Sequence, residues 1–208
     1  MPLSQYELEL KRAGFSPIAG ADEAGRGACA GPLVAAAVIL SDEPARKIEG
    51  LNDSKKLTAR KRDQLYDEIL AKALAVSCVE VGPQECDKLG MQEADLQGLR
   101  RAILRLDPQP AYALTDGFFV PGLSMPSLAV WKGDAILACV SAASIVAKVH
   151  RDRLMIKMDE KYPGYGFAKH KGYDTKAHQE NLMELGPCEI HRFSYRNVQQ
   201  AMETKRVG

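Results

Sequence analysis

The sequence lacks the marks of membrane, secreted and repetitive proteins. None of its apolar runs approaches the roughly 20 residues that cross a bilayer, and its first ten residues show no cationic segment followed by an apolar one. It has no internal repeat, no low-complexity tract and no long linker rich in proline, glycine or serine. We therefore expect one continuous domain, soluble and cytoplasmic, that makes no contact with a membrane.

Cysteine is scarce, and tryptophan occurs once. The five cysteines are an odd number without a Cys-x-x-Cys pair, and most of them lie among apolar residues, as Cys29 and Cys139 do. A chain of 208 residues buries roughly 70% of its unfolded surface and needs neither disulfides nor a structural metal. We expect buried thiols in a reducing compartment, with a zinc site or a nucleophilic cysteine as alternatives.

The net charge is only +1, but the charges are unevenly distributed. Residues 1–131 hold 15 basic and 18 acidic side chains, whereas residues 132–208 hold 13 basic and 9 acidic ones and all four histidines. This asymmetry is typical of a protein that binds cations in one region and an anion in another. Chance unevenness of solvated faces explains the same numbers, so charge alone leaves both interpretations open.

Hydrophobic periodicity predicts alternating strands and helices. The predicted strands are 16–23, 31–40, 76–81, 111–117 and 127–134, and the predicted helices are 59–74 with Thr58 as N-cap, 84–106 interrupted near Gly90, 135–162 and 176–185. The run 31–40 is apolar throughout, which indicates a central strand covered on both faces. We therefore predict an α/β sheet flanked by helices. Residues 1–162 would form the core, and residues 163–208 a basic, aromatic region of the same domain.

Acidic residues lie at the ends of three predicted strands. Asp22 and Glu23 precede a glycine-rich turn, Asp116 precedes a glycine, and Asp134 ends a later strand. Each alone is typical of a solvated turn. Together they indicate a pocket for Mg²⁺ or Mn²⁺, because ligands of open α/β sheets bind at strand ends and hard cations prefer carboxylates. Four carboxylates around two ions roughly 3.5–4 Å apart would form the clamp used in phosphodiester cleavage.

Motifs for other phosphate and acyl chemistry are missing. The sequence holds no Gly-x-x-x-x-Gly-Lys-Ser/Thr loop and no Gly-x-Ser-x-Gly elbow. The glycines near residue 25 do not form a dinucleotide-binding fingerprint. Metal-dependent phosphoryl chemistry is therefore the leading enzymatic class.

Six motifs resemble, in order, those of the type 2 ribonuclease H family, in its bacterial ribonuclease HII branch. They are Asp22-Glu-Ala-Gly-Arg-Gly27 with Ala-Gly-Pro32, Asn52-Asp-Ser-Lys-Lys-Leu57, Thr115-Asp-Gly117, Lys132-Gly-Asp134, Ser141-Ala-Ala-Ser-Ile-Val-Ala-Lys-Val-His-Arg-Asp152 and Tyr165-Gly-Phe-Ala-Lys-His-Lys-Gly-Tyr173. The resemblance extends from about residue 18 to residue 195. The departures are few: Ala24 and Thr115 replace bulkier apolar residues, and Asp174 stands where the family usually has Gly or Pro.

The resemblance implies an RNase H-like mixed β-sheet flanked by helices, with a small helical C-terminal region. It also implies an endoribonuclease that hydrolyses the RNA strand of RNA–DNA hybrids and cuts 5′ to ribonucleotides embedded in duplex DNA. Asp22, Glu23, Asp116 and Asp134 match four catalytic carboxylates that bind two Mg²⁺ or Mn²⁺ ions. One ion would activate a water and the other would stabilise the departing 3′ oxygen, which leaves 5′-phosphate and 3′-hydroxyl ends. We expect a monomer, and the resemblance names no protein partner.

The same resemblance assigns substrate contacts. Gly25, Arg26 and Gly27 match a loop whose backbone reads the ribose 2′-hydroxyl at an RNA–DNA junction, and Tyr173 matches a tyrosine that packs on the next sugar. Candidate contacts to the substrate backbone are Asn52, Ser54, Lys55, Lys56, Ser144, Lys148, Arg151, Lys169 and Lys171. Small residues around Ser144 equally suit close packing of helix and sheet. For His178 and His191 we expect substrate contact or capping, with metal ligation as the alternative.

Two other functions are compatible with this reading. A non-catalytic module that binds hybrids on the same fold would lack at least one carboxylate, and none is missing. A related polynucleotidyl transferase or structure-specific nuclease would use the same carboxylates. Only the Gly25–Gly27 loop and Tyr173 argue against that second alternative.

Overall fold

The computed structural model describes residues 4–207, with side chains to residue 204. Its five strands are β1 (Ile18–Ala24), β2 (Leu33–Ile39), β3 (Ala75–Val81), β4 (Tyr112–Asp116) and β5 (Ser127–Val130). They form one sheet in the order β3-β2-β1-β4-β5. β2 is antiparallel to β1 and β3, whereas β4 is parallel to β1 and β5. The predicted mixed sheet is confirmed.

Helices follow or cover every strand. They are α1 (Gln5–Arg12), α2 (Ala59–Lys72), α3 (Pro83–Leu89), α4 (Met91–Leu104), α5 (Gly133–Ile136), α6 (Ala138–Lys161), α7 (Phe167–His170), α8 (Lys176–Leu185) and α9 (Arg196–Val207). Two single 3₁₀ turns lie at Pro44–Arg46 and Ser54–Lys56. Within residues 4–207, no helix has the length and apolar character needed to cross a membrane.

The central strand β2 explains the unbroken apolar run of the sequence. All seven of its residues are buried. Its odd-numbered residues share a core with Leu99 and Ile103 of α4, and its even-numbered residues share another with Leu65 and Ile69 of α2 and the small residues of α6. The helices therefore cover both faces of the sheet, as the pattern predicts.

Several boundaries agree with the sequence, and one strand end does not. Thr58 caps α2 by accepting a hydrogen bond from the Lys61 amide, and Gly90, at φ 78°, separates α3 from α4. β5, however, ends at Val130 rather than at residue 134. Lys132 takes a left-handed φ of 58° and the chain turns into α5, so Asp134 lies on a short helix.

The terminal helices α1 and α9 are absent from the sequence-based prediction. The sequence does hold a signal for α1, the capping box of Ser4 and Glu7. Glu7 is buried, and its carboxylate accepts hydrogen bonds from the amides of Ala138 and Cys139 at 3.1 and 3.0 Å. These amides begin α6, whose N-cap residue Leu137 has no side-chain acceptor. A residue far away in sequence therefore caps the longest described helix.

The C-terminal region packs on the loop between β1 and β2. Short β-bridges join Ala28 to Tyr173 and Ala30 to His191. The buried Arg192 donates to the carbonyl of Gly31 at 3.0 Å. All five cysteines are free thiols.

Candidate active site

Parallel strands bring the first carboxylates together. β1 and β4 run side by side with Ala21 opposite Thr115, so Asp22 and Asp116 follow at the same edge of the sheet. Asp134 joins them from α5, because the Gly133 amide donates to Asp116 Oδ1 at 2.7 Å. The expected convergence of strand ends is therefore present, with a helix supplying the last member.

Three of the four predicted ligands form one group. Carboxylate oxygens of Asp22, Asp116 and Asp134 all lie within 4.8 Å of one another. In the part of the chain that the structure describes, this is the only such group of acidic, histidine or cysteine side chains, so the predicted zinc alternative has no matching cluster there. Glu23 is outside the group, and its Oε2 is buried without a hydrogen-bond partner among the described residues.

Burial makes these carboxylates hard to ionise. It raises the pKa of Asp22 well above its usual value, and the charges of Glu23 and Asp116 raise it further. Burial and the neighbouring Asp95 raise the pKa of Glu23 to about 8. The pKa of Asp134 is also raised, by burial and then by Asp116. Close, poorly neutralised carboxylate oxygens are the donor set that fits Mg²⁺ or Mn²⁺.

Two buried hydroxyls lie behind Asp22. The Oγ atoms of Ser54 and Ser144 are 2.9 Å apart, and both side chains are buried. A hydrogen bond from Ser144 lowers the pKa of Asp22, against the effect of burial. This corrects the prediction that Ser54 and Ser144 contact the substrate backbone, because their hydroxyls face the interior.

Two lysines stand at the entrance to the carboxylate group. Lys55 and Lys56 are exposed on the 3₁₀ turn, and Lys55 Nζ lies 4.0 Å from Asp134 Oδ2. Asn52 accepts a hydrogen bond from the Asp53 amide. The turn therefore presents the Lys55 ammonium beside Asp134 and the Lys56 ammonium beside Asp53, and both lysines line one cavity.

The two lysines and the carboxylates of Asp116 and Asp134 line a cavity of about 490 Å³. Its wall consists of Glu23, Arg26, Asp53, Lys55, Lys56, Asp116, Gly117, Phe118, Trp131, Lys132, Asp134 and Ala135. Phe118 and Trp131 are absent from the sequence-based predictions, and Lys132 enters them only as part of the motif Lys132-Gly-Asp134. Their position directly after β4 and β5 was the available signal.

The Gly25–Gly27 loop is braced from behind by Arg151. This side chain is fully buried and donates to the carbonyls of Pro32, Lys171 and Ala30 at 2.9, 2.9 and 3.0 Å. Arg151 therefore holds the loop against α6 and the C-terminal region. The prediction that it contacts substrate is corrected, because its guanidinium has no free face toward solvent.

Arg26 is held between an acid and an aromatic ring. Its Nε lies 3.6 Å from Asp95 Oδ2, and its Cζ lies 4.4 Å from the centre of the Phe118 ring. Asp95 is buried on α4, and burial raises its pKa to about 6 even though Arg26 lowers it. Asp95 is absent from the sequence-based predictions, although an acid on the apolar face of a helix is a visible signal.

The remaining predicted contacts surround Tyr173 on the far side of the loop. The half-buried ring lies 5.6 Å from Lys148 Nζ and 5.4 Å from Arg151 Cζ. Lys148 also pairs with Asp152 at 2.8 Å. Lys171 bends its ammonium back onto the Ala168 carbonyl, whereas Lys169 is exposed.

The two C-terminal histidines are interior residues. His178 and His191 are fully buried, and their Nε2 atoms are 3.2 Å apart. His178 Nδ1 lies 2.9 Å from the Tyr173 carbonyl oxygen, and the Cys188 amide donates to His191 Nδ1 at 3.0 Å. The expected roles are substrate contact or capping; the structure places both rings in the interior, where they make hydrogen bonds within the chain.

Comparisons with known proteins agree with this geometry. The model of the family described as Ribonuclease HII matches residues 19–198. A ribonuclease HII from Cutibacterium acnes is 62% identical over 196 residues, which are 94% of this chain and 96% of that protein. One from Salinispora arenicola is 55% identical over 195 residues, 93% of this chain and 72% of that protein.

A solved structure extends the agreement to the fold. The ribonuclease H2 from Pyrococcus horikoshii OT3 is 28% identical and similar with a TM-score of 0.79, over 92% of this chain and 99% of that one. The family match, the sequence identities and the fold all indicate a ribonuclease of this family. The chain therefore belongs to the ribonuclease HII family and is a hydrolase of the ribonuclease H type.

Proposed function

We propose that this ribonuclease H cuts on the 5′ side of single ribonucleotides embedded in duplex DNA, as well as the RNA strand of RNA–DNA hybrids. The reaction would use two divalent cations and leave 5′-phosphate and 3′-hydroxyl ends. The observation that carries the proposal is the close group of Asp22, Asp116 and Asp134. Asp116 and Asp134 of this group share a cavity wall with Arg26 of the loop assigned to the 2′-hydroxyl.

The carboxylates of Asp22, Asp116 and Asp134 would hold the cations, and Glu23 completes the proposed set from the next position of β1. When bound, the cations supply an activated water and stabilise charge on the leaving oxygen. Burial, and then the charges of neighbouring carboxylates, raise the pKa of Asp22 and Glu23, and a bound cation would offset both effects. The nearby Ser144 hydroxyl lowers the pKa of Asp22 and so favours its ionised form.

The chain's other residues would position the substrate. Lys55 and Lys56 reach the phosphates beside the carboxylates. Gly27 leaves its backbone open to the ribose, because no atom outside its chain neighbours lies within 4 Å of the position a Cβ would take among the described residues. Tyr173 packs on the following sugar, with Lys148 and Arg151 at its ring. A small misplacement of the scissile phosphate lowers the cleavage rate strongly. These contacts would therefore determine which phosphodiester bond is cleaved.

The test is cleavage of three labelled duplexes with Mg²⁺ or Mn²⁺: a uniform RNA–DNA hybrid, a DNA duplex with one ribonucleotide, and plain DNA. We expect cuts in the first two, with the ribonucleotide left at the 5′ end of the downstream fragment. Asp116→Asn serves as the inactive control. Binding without any cleavage would favour the non-catalytic module, and cleavage of plain DNA would favour a structure-specific nuclease.

A further inference from the structure

The only tryptophan of the chain is exposed at the rim of the carboxylate cavity. Trp131 is 76% exposed, more than any other large apolar side chain among the described residues. It lines the cavity with Asp116 and Asp134. Tryptophan carries a large apolar surface, and leaving it in water forgoes the stabilisation that burial would give. Such exposure beside a site is typical of a ring that contacts a ligand.

The backbone holds Trp131 firmly against the carboxylates. On one side, the Val130 carbonyl accepts a hydrogen bond from the Gly117 amide at 3.1 Å. On the other, the Gly133 amide donates to Asp116 Oδ1 at 2.7 Å. Both bonds lead to the end of β4, which carries Asp116. The indole therefore lies on a short segment that is hydrogen-bonded to Gly117 at one end and to the proposed metal ligand Asp116 at the other.

The ring of Trp131 has no stacking partner among the side chains that the structure describes. Among residues 4–204, no aromatic ring or cationic side chain stacks on it, although Arg26 covers Phe118 in the same cavity. The exposed ring is therefore available to a ligand.

The surroundings indicate which ligand the ring would meet. Lys55, Lys56, Lys132 and Arg26 line the same cavity, and an aromatic face among cationic side chains is typical of surfaces that bind nucleic acid strands. Each nucleotide offers a flat base and an apolar sugar face to such a ring. Tyr173 does not line this cavity and packs instead beside Ala28. The two rings therefore meet different parts of the substrate.

We propose that Trp131 is a substrate-binding residue that packs its indole on a base or sugar of the nucleic acid beside the scissile phosphate, at a nucleotide other than the one assigned to Tyr173. The inference rests on the proposed function, because it needs nucleic acid in the carboxylate cavity. It adds a second aromatic contact, at the edge of the sheet formed by β5.

The first test uses the fluorescence of the protein, which reports Trp131 alone because the chain has one tryptophan. RNA–DNA hybrid is titrated into the full-length chain in EDTA, so that binding proceeds without cleavage. We expect saturable quenching of Trp131 and protection from acrylamide. Binding seen by anisotropy of labelled hybrid without any change in tryptophan emission or acrylamide access would overturn the inference.

The second test uses substitutions. Trp131→Ala should weaken hybrid binding about 5- to 100-fold, the range expected for the loss of one stacking contact, and raise KM more than it lowers kcat. Trp131→Phe should recover most of the affinity. Phe119→Ala is the matched control, because Phe119 is 64% exposed on the neighbouring loop but does not line the cavity. It should bind as the wild type does.

Two further outcomes separate this inference from the proposed function. Normal binding by Trp131→Ala, or equal weakening by Phe119→Ala, would overturn the role of Trp131 while cleavage by the wild type stands. Quenching by hybrid in a protein that never cleaves it would instead contradict the proposed function and support the contact. Trp131→Ala should keep the melting temperature of the wild type, since a fall in Tm would indicate a structural role.

Discussion

The guanidinium of Arg151 occupies the space beside Gly25 in which the Cβ of any other residue would lie. Gly25 also takes a φ of 94°, which side chains other than glycine rarely adopt. Gly27, two positions later, has open space at the same point. The two glycines of one loop thus serve different ends, the first for packing and the second for access.

We predict that Gly27→Val leaves the fold intact and impairs cutting at a lone ribonucleotide at least tenfold, because a branched side chain would stand in the path of the ribose. Gly25→Ala should instead destabilise the protein by about 2 kcal/mol or more through backbone strain and overlap with Arg151. Thermal unfolding and cleavage assays distinguish the two. A Gly27→Val protein that cuts normally would remove that residue from the junction-reading loop.

Tyr173→Ala should slow cutting at RNA–DNA junctions by up to about 100-fold, since a misplaced scissile phosphate reacts poorly. Tyr173→Phe should retain most activity, because the ring rather than the hydroxyl makes the proposed contact. Single-turnover cleavage of hybrid and single-ribonucleotide duplex measures both. Wild-type rates for Tyr173→Ala on both substrates would refute its role.

Asp22→Asn should reduce cleavage by far more than tenfold, a barrier change of at least about 1.4 kcal/mol, while hybrid binding persists. In EDTA near pH 8 the variant should melt at a higher temperature than the wild type, because burial and neighbouring charges raise the pKa of Asp22 and disfavour its ionised form. Mg²⁺ should stabilise the wild type more than the variant. Asp67→Asn, at an exposed site on α2, is the control that should change none of these.

Salt should weaken hybrid binding by the metal-free protein, because phosphate contacts release counterions. Lys55→Ala/Lys56→Ala should flatten the plot of log K against log salt by up to about one unit per lost phosphate contact. Lys47→Ala/Lys176→Ala removes two exposed charges outside the cavity and should preserve the slope. If the first pair also preserves it, both lysines are ordinary solvated charges.

Lowering the pH should reduce the free energy of unfolding through protonation of His191. Burial, and then His178, lower the pKa of His191 from 6.5 to about 4, so between these values the unfolded chain binds the proton and the folded one does not. Stability from this residue is full above pH 6.5 and falls toward pH 4, by up to about 1.4 kcal/mol per pH unit. Cys29, Tyr165, His170 and Cys188 are the other titratable groups beside the pair.

The measurement is the difference in unfolding free energy between wild type and His191→Gln from pH 7 to pH 4.5, in which the contribution of the active-site carboxylates cancels. The difference should change in favour of the variant as the pH falls. A constant difference would contradict a depressed pKa.

Local patterns predicted those parts of the fold that local chemistry decides. The apolar run of β2, the cap at Thr58 and the break at Gly90 are readable within a few residues. Asp134 was placed on a strand because the turn at Lys132 depends on a left-handed residue without a glycine signal. The burial of Glu7 on α1 depends on the amides of Ala138 and Cys139, more than a hundred positions away, so no local pattern could predict it.

In the candidate site too, features set by local sequence could be predicted, whereas those set by distant packing could not. Strand ends and motif resemblance located the carboxylates, since parallel neighbours share an edge. Helical spacing put Ser144, Lys148 and Arg151 on one side of α6, yet it could not show that much of this side is covered by the loop after β1. Arg151 and Ser144 are therefore interior, and Asp95 became visible as a partner of Arg26 only once α4 was packed.

The cap that Glu7 provides for α6 connects helix α1 to the backbone of the proposed metal ligand Asp134. Glu7 secures the amides of Ala138 and Cys139, and one turn further Ser141 donates to the carbonyl of Asp134. Undocking of α1 would free the start of α6 and, through Ser141, loosen the backbone of a proposed metal ligand. Hydrogen exchange at the first turn of α6 and affinity for the cation would then change together. A substitution in α1 would therefore weaken cation binding before it unfolded the sheet.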